Sequence, residues 1–468
     1  MLPDFLTHHW LTLHSLTVSL GLVVYVISSH ARRQRRHPSA AIAWVVSLLF
    51  MPYLALPLYL LIGSRKLRNT QPLPSYSTNG SGGAAPGTHF QHLAAAMGLP
   101  PPATYEALNV HDNGAAARDA LMSLIQDAKH SLDLCTFLLG RDCLGREISD
   151  LLIRRAKDGV RVRLLVDGIG VYLGGHPDLK PMALAGVKVA LFVSPFSSAL
   201  PGRTNLRNHR KMAIADGQRV WTGGRNLAAE YFVGDPLTDG KESPWLDLSF
   251  DFRGDLARQT QERFDQDWCF ATQTAPSHPP SPAVMVTASD LATAQLVPSG
   301  PDQADDTLYS LLVSSCFSAK TRIVAVTPYF LPDATLLMAL TLAARRGVVV
   351  DLVLPRRSNH RLADLARPSA LRDMVNAGAR VWLLPQMIHA KSIIVDDQLA
   401  LVGSANLDDR SMFLNYELMF AFSKPIDVNR FAQWTECQRQ SAVLYRPPRP
   451  SVLRELLEGW VRWVAFQL

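Results

Sequence analysis

Two stretches of this sequence carry a histidine and a lysine two residues apart, followed by the same residue types at the same distances. They are NHRKMAIADGQRVWTGGRN (Asn208–Asn226) and IHAKSIIVDDQLALVGSAN (Ile388–Asn406). His209, Lys211, Asp216, Gly223 and Asn226 each stand 180 residues before His389, Lys391, Asp396, Gly403 and Asn406. One His-x-Lys is usually a surface histidine beside a solvated lysine, but two copies that keep five positions in step are not explained that way. Residues two apart on a strand face the same side. A neutral imidazole there can attack an electrophile or move a proton near neutral pH, and a neighbouring lysine is a point charge suited to a phosphate oxygen.

The surrounding pattern predicts how these residues are held. AKDGVRVRLLVDG (Ala156–Gly168) and ARRGVVVDLVLPR (Ala344–Arg356) each read as a helix end, a glycine turn and a β-branched buried strand. Helices alternating with apolar strands on both sides of a Pro/Ser-rich break, TAPSHPPSP (Thr274–Pro282), predict an α/β fold with two α/β/α sandwich lobes related by a pseudo-twofold axis. The expected lobes span residues 116–273 and 283–446. Residues 69–115, which include NGSGGAAPG (Asn79–Gly87), read as linker.

Charge and hydropathy separate the N-terminal region from the rest. Of the net +7 of the 468 residues, residues 1–68 hold +6, with seven Arg and Lys against Asp4 alone. The remaining chain is close to neutral, which disfavours nucleic acid as a partner, since a basic footprint belongs on the domain that meets phosphates. Leu11–Ser29 and Ala40–Gly63 contain no formal charge, and each is long enough to span ~30 Å of hydrocarbon. The expectation is an N-terminal transmembrane helical hairpin over residues 1–68, bent at Pro52 and Pro57, and a multi-pass membrane protein. Five scattered cysteines, without paired spacing, suggest neither a disulfide framework nor a zinc module.

The two motifs resemble those of the phospholipase D superfamily, in which two such motifs meet at one active site. TPYFLPD (Thr327–Asp333), GSANLDDRSMFLNYE (Gly403–Glu417), WLDLSFDFRG (Trp245–Gly254) and the N-terminal apolar pair narrow the resemblance to the bacterial cardiolipin synthases. Asp255 departs from the pattern, which leads one to expect proline after Gly254. The resemblance implies a phosphatidyl transfer between two phosphatidylglycerol molecules through a phosphatidyl-histidine, with neither cofactor nor metal, on anionic phospholipids in a bilayer. It favours His209 as nucleophile. A covalent intermediate divides one displacement into two, and the second histidine serves as acid and then base. Lys211, Lys391, Asn226 and Asn406 would surround the phosphoryl oxygens.

The resemblance also implies a carboxylate for each histidine's second ring nitrogen. Glu417, 28 residues beyond His389, is expected to serve that residue, and Asp247, or else Glu230, to serve His209. Asp216 and Asp396, inside the motifs, read as supporting residues that hold the loop or the lysines. Ser404, opposite Gly224 of the first copy, either touches the phosphate or closes a turn. Arg203, Arg207 and Arg210 either meet anionic headgroups or form a solvated basic loop. Residues 447–468 carry an apolar stripe with Trp460 and Trp463 that either packs on the parent domain or lies at a membrane interface. A hydrolase that passes the phosphatidyl group to water shares every one of these residues. An inert scaffold of the same fold has no reason to keep two complete sets.

Overall fold

The computed structural model describes residues 2–31, 38–63, 88–193, 205–234, 243–275, 292–303, 305–451 and 458. Two sheets dominate it. The first has seven strands in the order Glu106–His111, Ser249–Arg253, Arg219–Gly223, Met212–Ala215, Ser131–Thr136, Arg161–Asp167 and Lys188–Phe192. The second has nine: Ala103–Thr104, Thr293–Ser299, Glu417–Phe422, Leu399–Gly403, Ser392–Val395, Arg322–Val326, Val349–Pro355, Arg380–Leu384 and Val443–Leu444. From Ser249–Arg253 onward in one, and from Glu417–Phe422 onward in the other, six strands follow the same order. Three parallel strands join an antiparallel meander in each.

Each motif occupies the hairpin of that meander. Met212–Ala215 pairs antiparallel with Arg219–Gly223, and Ser392–Val395 with Leu399–Gly403. Gly223 and Gly403 end the hairpins at φ 140° and 157°. An added Cβ would lie 2.2 Å from the carbonyl oxygen of Leu248 or Leu418, so only glycine allows the chain to pass the neighbouring strand here.

The outer faces of the sheets are covered by helices such as Gly114–Asp127 and Cys143–Lys157 on the first, and Thr307–Ser318 and Ala334–Arg345 on the second. The inner faces share one core. Leu256 and Phe264 of helix Asp255–Thr272, and Phe431 and Trp434 of helix Pro425–Arg439, join Phe250 and Phe252 of one sheet and Phe420 and Phe422 of the other. Phe250 meets Phe420, Phe422 and Phe431 edge-on at 5.5–5.7 Å. Because this apolar surface is buried between the lobes, neither lobe can leave the other without exposing it to water.

Arg210 ties the same interface with polar bonds. Fully buried, it forms an ion pair with Asp267 and donates to the backbone oxygens of Glu417 (3.0 Å) and Ser299 (3.1 Å) on the opposite sheet. Arg207 pairs with Asp167 and donates to the Val193 carbonyl at 2.9 Å. Arg207 and Arg210 therefore form neither a headgroup contact nor a solvated loop, because buried carboxylates and carbonyls have taken their donors. Arg203 lies outside the described residues.

Part of the expected linker is structured. His89–Ala96 packs Phe90 and Ala94 into the core of the second lobe, Ala103–Thr104 extends the nine-stranded sheet, and Glu106–His111 edges the seven-stranded one. Short apolar residues among prolines gave little periodicity to read, yet each has a sheet edge or core to join. Asp255, the departure from the family pattern, begins its helix and accepts a hydrogen bond from Thr104 at 2.9 Å.

The N-terminal region also differs from expectation. It forms helices Leu2–Ala31, Pro38–Phe50 and Pro52–Ile62. Among the described residues, no helix is long and apolar enough to cross a membrane, so the expected multi-pass hairpin is not observed. The second apolar run divides at Met51, where Pro52 begins a new helix; a residue with no N–H cannot continue the previous hydrogen-bond ladder. The three helices pack together through Leu48 against Gly21 and Trp44 against Tyr59. They leave Leu13, Leu16, Leu20, Val26, Phe50 and Leu54 exposed. The apolar stripe expected in residues 447–468, with Trp460 and Trp463, lies almost wholly outside the described residues.

Replacing Arg210 by methionine removes the donor to two buried carbonyls at the lobe interface and leaves Asp267 with Arg263 and Asn208. Arg210→Met should lower stability by about 3–5 kcal/mol, read as a fall in the denaturant midpoint; an unchanged midpoint would show that the aromatic core alone holds the lobes.

Candidate active site

Two parallel β-bridges join the lobes, Asn208 to Tyr416 and Ile388 to Leu246. In the first, the His209 amide donates to the Tyr416 carbonyl (2.9 Å) and the Tyr416 amide to the Arg207 carbonyl (2.8 Å). In the second, the His389 amide donates to the Leu246 carbonyl (2.6 Å) and the Leu246 amide to the Met387 carbonyl (2.8 Å). One residue beyond each bridge stand a motif histidine and the other lobe's carboxylate. His209 Nδ1 lies 3.0 Å from both Glu417 oxygens, and His389 Nδ1 lies 2.7 Å from Asp247 Oδ2.

The expected pairing is thereby exchanged. Glu417 serves His209 and Asp247 serves His389, across the lobe boundary in both cases. Sequence proximity suggested the opposite assignment, whereas the bridges between lobes decide it. Glu230 instead supplies a backbone carbonyl to the Trp245 amide at 2.7 Å. An ionised carboxylate only accepts hydrogen bonds, so Nδ1 of each histidine carries the proton and Nε2 keeps its lone pair.

Both lysines turn back toward their own motifs. Lys211 Nζ donates to the His209 carbonyl at 2.6 Å, and Lys391 Nζ bonds the His389 carbonyl. Lys391 Nζ also sits 2.7 and 2.9 Å from Nδ1 and Nε2 of His389. The two half-sites form one electrostatic unit, since Lys211 interacts with Glu417, Lys391 and Asp247, and Lys391 with Asp247 and Glu417.

Ser404 contacts the carboxylate. Its hydroxyl donates to Glu417 Oε2 at 2.5 Å and accepts from the Leu418 amide at 2.9 Å. In the first lobe Gly224 leaves that space to Asp247 itself, whose Oδ1 would lie 2.2 Å from an added Cβ and accepts directly from the Leu248 amide at 2.7 Å. Serine with glutamate and glycine with aspartate thus satisfy equivalent backbone amides by two routes.

Asn226 and Asn406 are both buried. The Asn226 amide bonds the Tyr231 hydroxyl and that of Asn406 bonds Asp408, while the carbonyl oxygen of each is buried without a hydrogen-bond partner. Asp216 and Asp396 do not belong to this group. They occupy the far hairpin turns in the left-handed region, φ 53° each. Asp216 accepts from the amides of Lys129, His130 and Ser131, and Asp396 from those of Lys320, Thr321 and Arg322. Among the described residues they hold loop amides and not the lysines, and they touch no reacting group.

Three residues near the site were not singled out by sequence. Tyr231 and Trp245 pack on the His389 ring at 5.0 and 5.8 Å, and buried Asp408 caps helix Asp409–Phe413 through the Ser411 amide at 2.7 Å. Burial raises the Asp408 carboxyl to about 6. A signal for Asp408 was present, since Ala228 stands at the matching place of the first copy.

Comparison with known proteins now places the chain. Residues 121–268 and 312–438 match the cardiolipin synthase, PLD-like domain family, and residues 19–64 the phospholipase D-nuclease N-terminal family. The chain belongs to the cardiolipin synthase family of PLD-like proteins. Cardiolipin synthase A of Pseudomonas aeruginosa is 31% identical over 425 residues, covering 86% of this chain and 85% of that protein. Cardiolipin synthase A of Pseudomonas fluorescens is 30% identical over 451 residues, 91% of each. The crystal structure of phosphatidylserine synthase from Haemophilus influenzae shares the fold, with a TM-score of 0.61 at 15% identity over 81% of this chain and all of that one.

This member of the cardiolipin synthase family is therefore an enzyme, a phospholipid phosphatidyltransferase, and its electrostatics suit that chemistry. Burial lowers His209 to about 4, with Lys211 and Lys391 adding to the effect against Glu417. Burial, then Lys391, lowers His389 to about 3. Both rings are neutral at physiological pH. Burial opposes charge on Glu417 and Asp247, but the histidines and lysines beside them hold both carboxyls below their ordinary range. Burial brings Lys391 down to about 8, so its ammonium is retained at pH 7 and lost above that value.

These directions set the pH profile. kcat/KM reports groups on the free enzyme, and should hold down to about pH 5 with no loss near the ordinary histidine value of 6.5. It should fall as pH rises through about 8, when Lys391 loses its proton. A flat profile to pH 10 would show that the Lys391 charge is dispensable.

Proposed function

We propose that this protein makes cardiolipin from two phosphatidylglycerol molecules through a phosphatidyl-histidine. The observation that carries the reading is the pair of crossed histidine–carboxylate bonds, which leave two Nε2 lone pairs beside two lysines in one buried site. His209 Nε2 attacks phosphorus, forming a P–N bond as the P–O bond to glycerol breaks. The leaving alkoxide takes a proton from His389 Nε2. A hydroxyl of the second phosphatidylglycerol then attacks phosphorus, its proton passes to His389, and the P–N electron pair returns to His209.

The contact between Lys391 and His389 supplies the first proton. In the empty site the pair holds one transferable proton, resident on Nζ, 2.9 Å from Nε2. An anionic phosphodiester among the lysines raises the affinity of Nε2 for that proton, as a nearby opposite charge does. Lys211, Asn226 and Asn406 oppose the charge that grows on the phosphoryl oxygens, and Lys391 adds its own charge until its proton passes to His389. Glu417 and Asp247 keep each imidazole in its tautomer and stabilise the imidazolium, and Ser404 orients Glu417. No step requires a metal or a cofactor.

The substrates lie in bilayers, and the exposed apolar side chains of the three N-terminal helices supply attachment. About 25 cal/mol for each Å² withdrawn from water favours their burial among lipid tails. Other anionic phospholipids can offer the same phosphodiester to the lysines. The near-neutral lobes give nucleic acid no comparable surface.

The direct test is the full-length protein in detergent with labelled phosphatidylglycerol. Cardiolipin and glycerol are expected, with product formation unaffected by EDTA. Phosphatidic acid as the main product would instead identify water as the acceptor and overturn the reading. His209→Ala should abolish both product and the phosphohistidine recovered after a denaturing quench at neutral to alkaline pH, and His389→Ala should slow turnover by about 10²–10⁴-fold. Phosphate trapped on His389 and absent from His209 would reverse the two roles.

Removing residues 1–68 should leave turnover of short-chain phosphatidylglycerol intact while lowering turnover on vesicles and the fraction that sediments with them. Equal activity and binding on vesicles would place attachment elsewhere.

A further inference from the structure

The two half-sites repeat in their histidine, lysine and asparagine but not in what encloses the histidines. Among the described residues His209 meets one ring, that of Phe137 at 5.4 Å. His389 is enclosed by Tyr231 at 5.0 Å and Trp245 at 5.8 Å, which contact each other at 4.7 Å. The residue matching Tyr231 in the second copy is Ser411, inside helix Asp409–Phe413, whose amide donates to the capping Asp408. This departure from symmetry lies beside the histidine that, in the reaction above, handles the alcohol oxygen in both steps.

Polar atoms here have a specific demand. The Asn226 amide donates to the Tyr231 hydroxyl, and its carbonyl oxygen is buried with no donor. A buried acceptor needs a donor. The oxygens of an ionised phosphodiester only accept, so a bound phosphate leaves this carbonyl unsatisfied. A hydroxyl group satisfies it, and the Tyr231 oxygen beside it can exchange hydrogen bonds with a second hydroxyl. An adjacent donor and acceptor beneath an indole match a vicinal diol, which presents two hydroxyls on a short carbon chain.

We propose that Tyr231, Trp245 and the Asn226 carbonyl form a polyol subsite beside His389 that binds the glycerol headgroup and selects it over water and simple alcohols. The proposal rests on the phosphatidyl transfer described above. The subsite holds glycerol as it leaves in the first step and aligns the glycerol hydroxyl of the second phosphatidylglycerol as it enters. The aromatic faces exclude water from Nε2 of His389, where it would otherwise be activated to hydrolyse the phosphatidyl-enzyme. Tyr231 and Trp245 are specificity residues, since the histidine performs the proton transfer.

The test measures how the phosphatidyl-enzyme partitions among acceptors. Full-length protein is given labelled phosphatidylglycerol in detergent with added glycerol or 1-propanol, and cardiolipin, exchanged phosphatidylglycerol, phosphatidylpropanol and phosphatidic acid are separated. Wild type should prefer glycerol to 1-propanol. Tyr231→Phe should reduce that preference by about 5- to 10-fold, as expected for one hydrogen bond, and raise the share of phosphatidic acid. Trp245→Phe should raise the share of phosphatidic acid with a smaller change in alcohol preference. An unchanged glycerol-to-propanol ratio in Tyr231→Phe, or no preference in wild type, would overturn the subsite; the wild-type comparison does not depend on the variants folding. Absence of every phosphatidyl product from wild type would instead defeat the transfer reaction itself.

Discussion

The chemistry of this protein depends on two short parallel bridges between its lobes. Neither lobe contains a complete histidine–carboxylate pair, because His209 borrows Glu417 and His389 borrows Asp247. The bridges at Asn208–Tyr416 and Leu246–Ile388 set the register that brings each pair to hydrogen-bond distance. Their position is maintained by the aromatic core between the sheets and by buried Arg210, next to His209 in the chain and bonded to the backbone of Glu417. Lobe association and assembly of the site are therefore one event. An isolated lobe would have a histidine without the carboxylate that selects its tautomer and a carboxylate without its imidazole.

Burial explains why the site is ready for nucleophilic attack. A histidine left in water is partly protonated near neutrality, and a protonated ring has no lone pair with which to attack phosphorus. Enclosure keeps both rings neutral, while the carboxylates hold their proton on Nδ1. Two carboxylates face two lysines in the empty site, and burial opposes the charge of both lysines. An incoming phosphodiester adds negative charge, which favours a proton on the Lys391–His389 pair when a leaving group needs one.

The internal repeat is close in backbone and looser in side chains. Gly224 with Asp247 and Ser404 with Glu417 satisfy equivalent backbone amides, those of Leu248 and Leu418, with different atoms, the serine standing beside a carboxylate one methylene longer. Asp408 opposite Ala228 and Tyr231 opposite Ser411 are deeper departures. A two-step transfer asks different things of its two histidines, one bonding to phosphorus and the other exchanging protons with alcohols. The unequal surroundings accord with that division of labour.

Much of this was legible in the sequence. The repeated His-x-Lys motifs, the α/β alternation and the Pro/Ser-rich break predicted two lobes and named the histidines, lysines and asparagines, because those features depend on local spacing. Sequence also singled out Asp247 and Glu417, but distance along the chain assigned them to the wrong histidines. It read Asp216 and Asp396 as holding either the loop or the lysines, and a strand of four residues carries each to the end of its hairpin away from the lysine. Local sequence cannot report which strand of one lobe meets which strand of the other. Nor did it reveal that residues 88–111 join both sheets, or that Tyr231 and Trp245 enclose His389. Residue types and spacing determined the reactive groups; contacts between segments far apart in the chain decided which carboxylate orients each histidine and what surrounds it, because hydrogen-bond register across an interface is a property of the packed lobes.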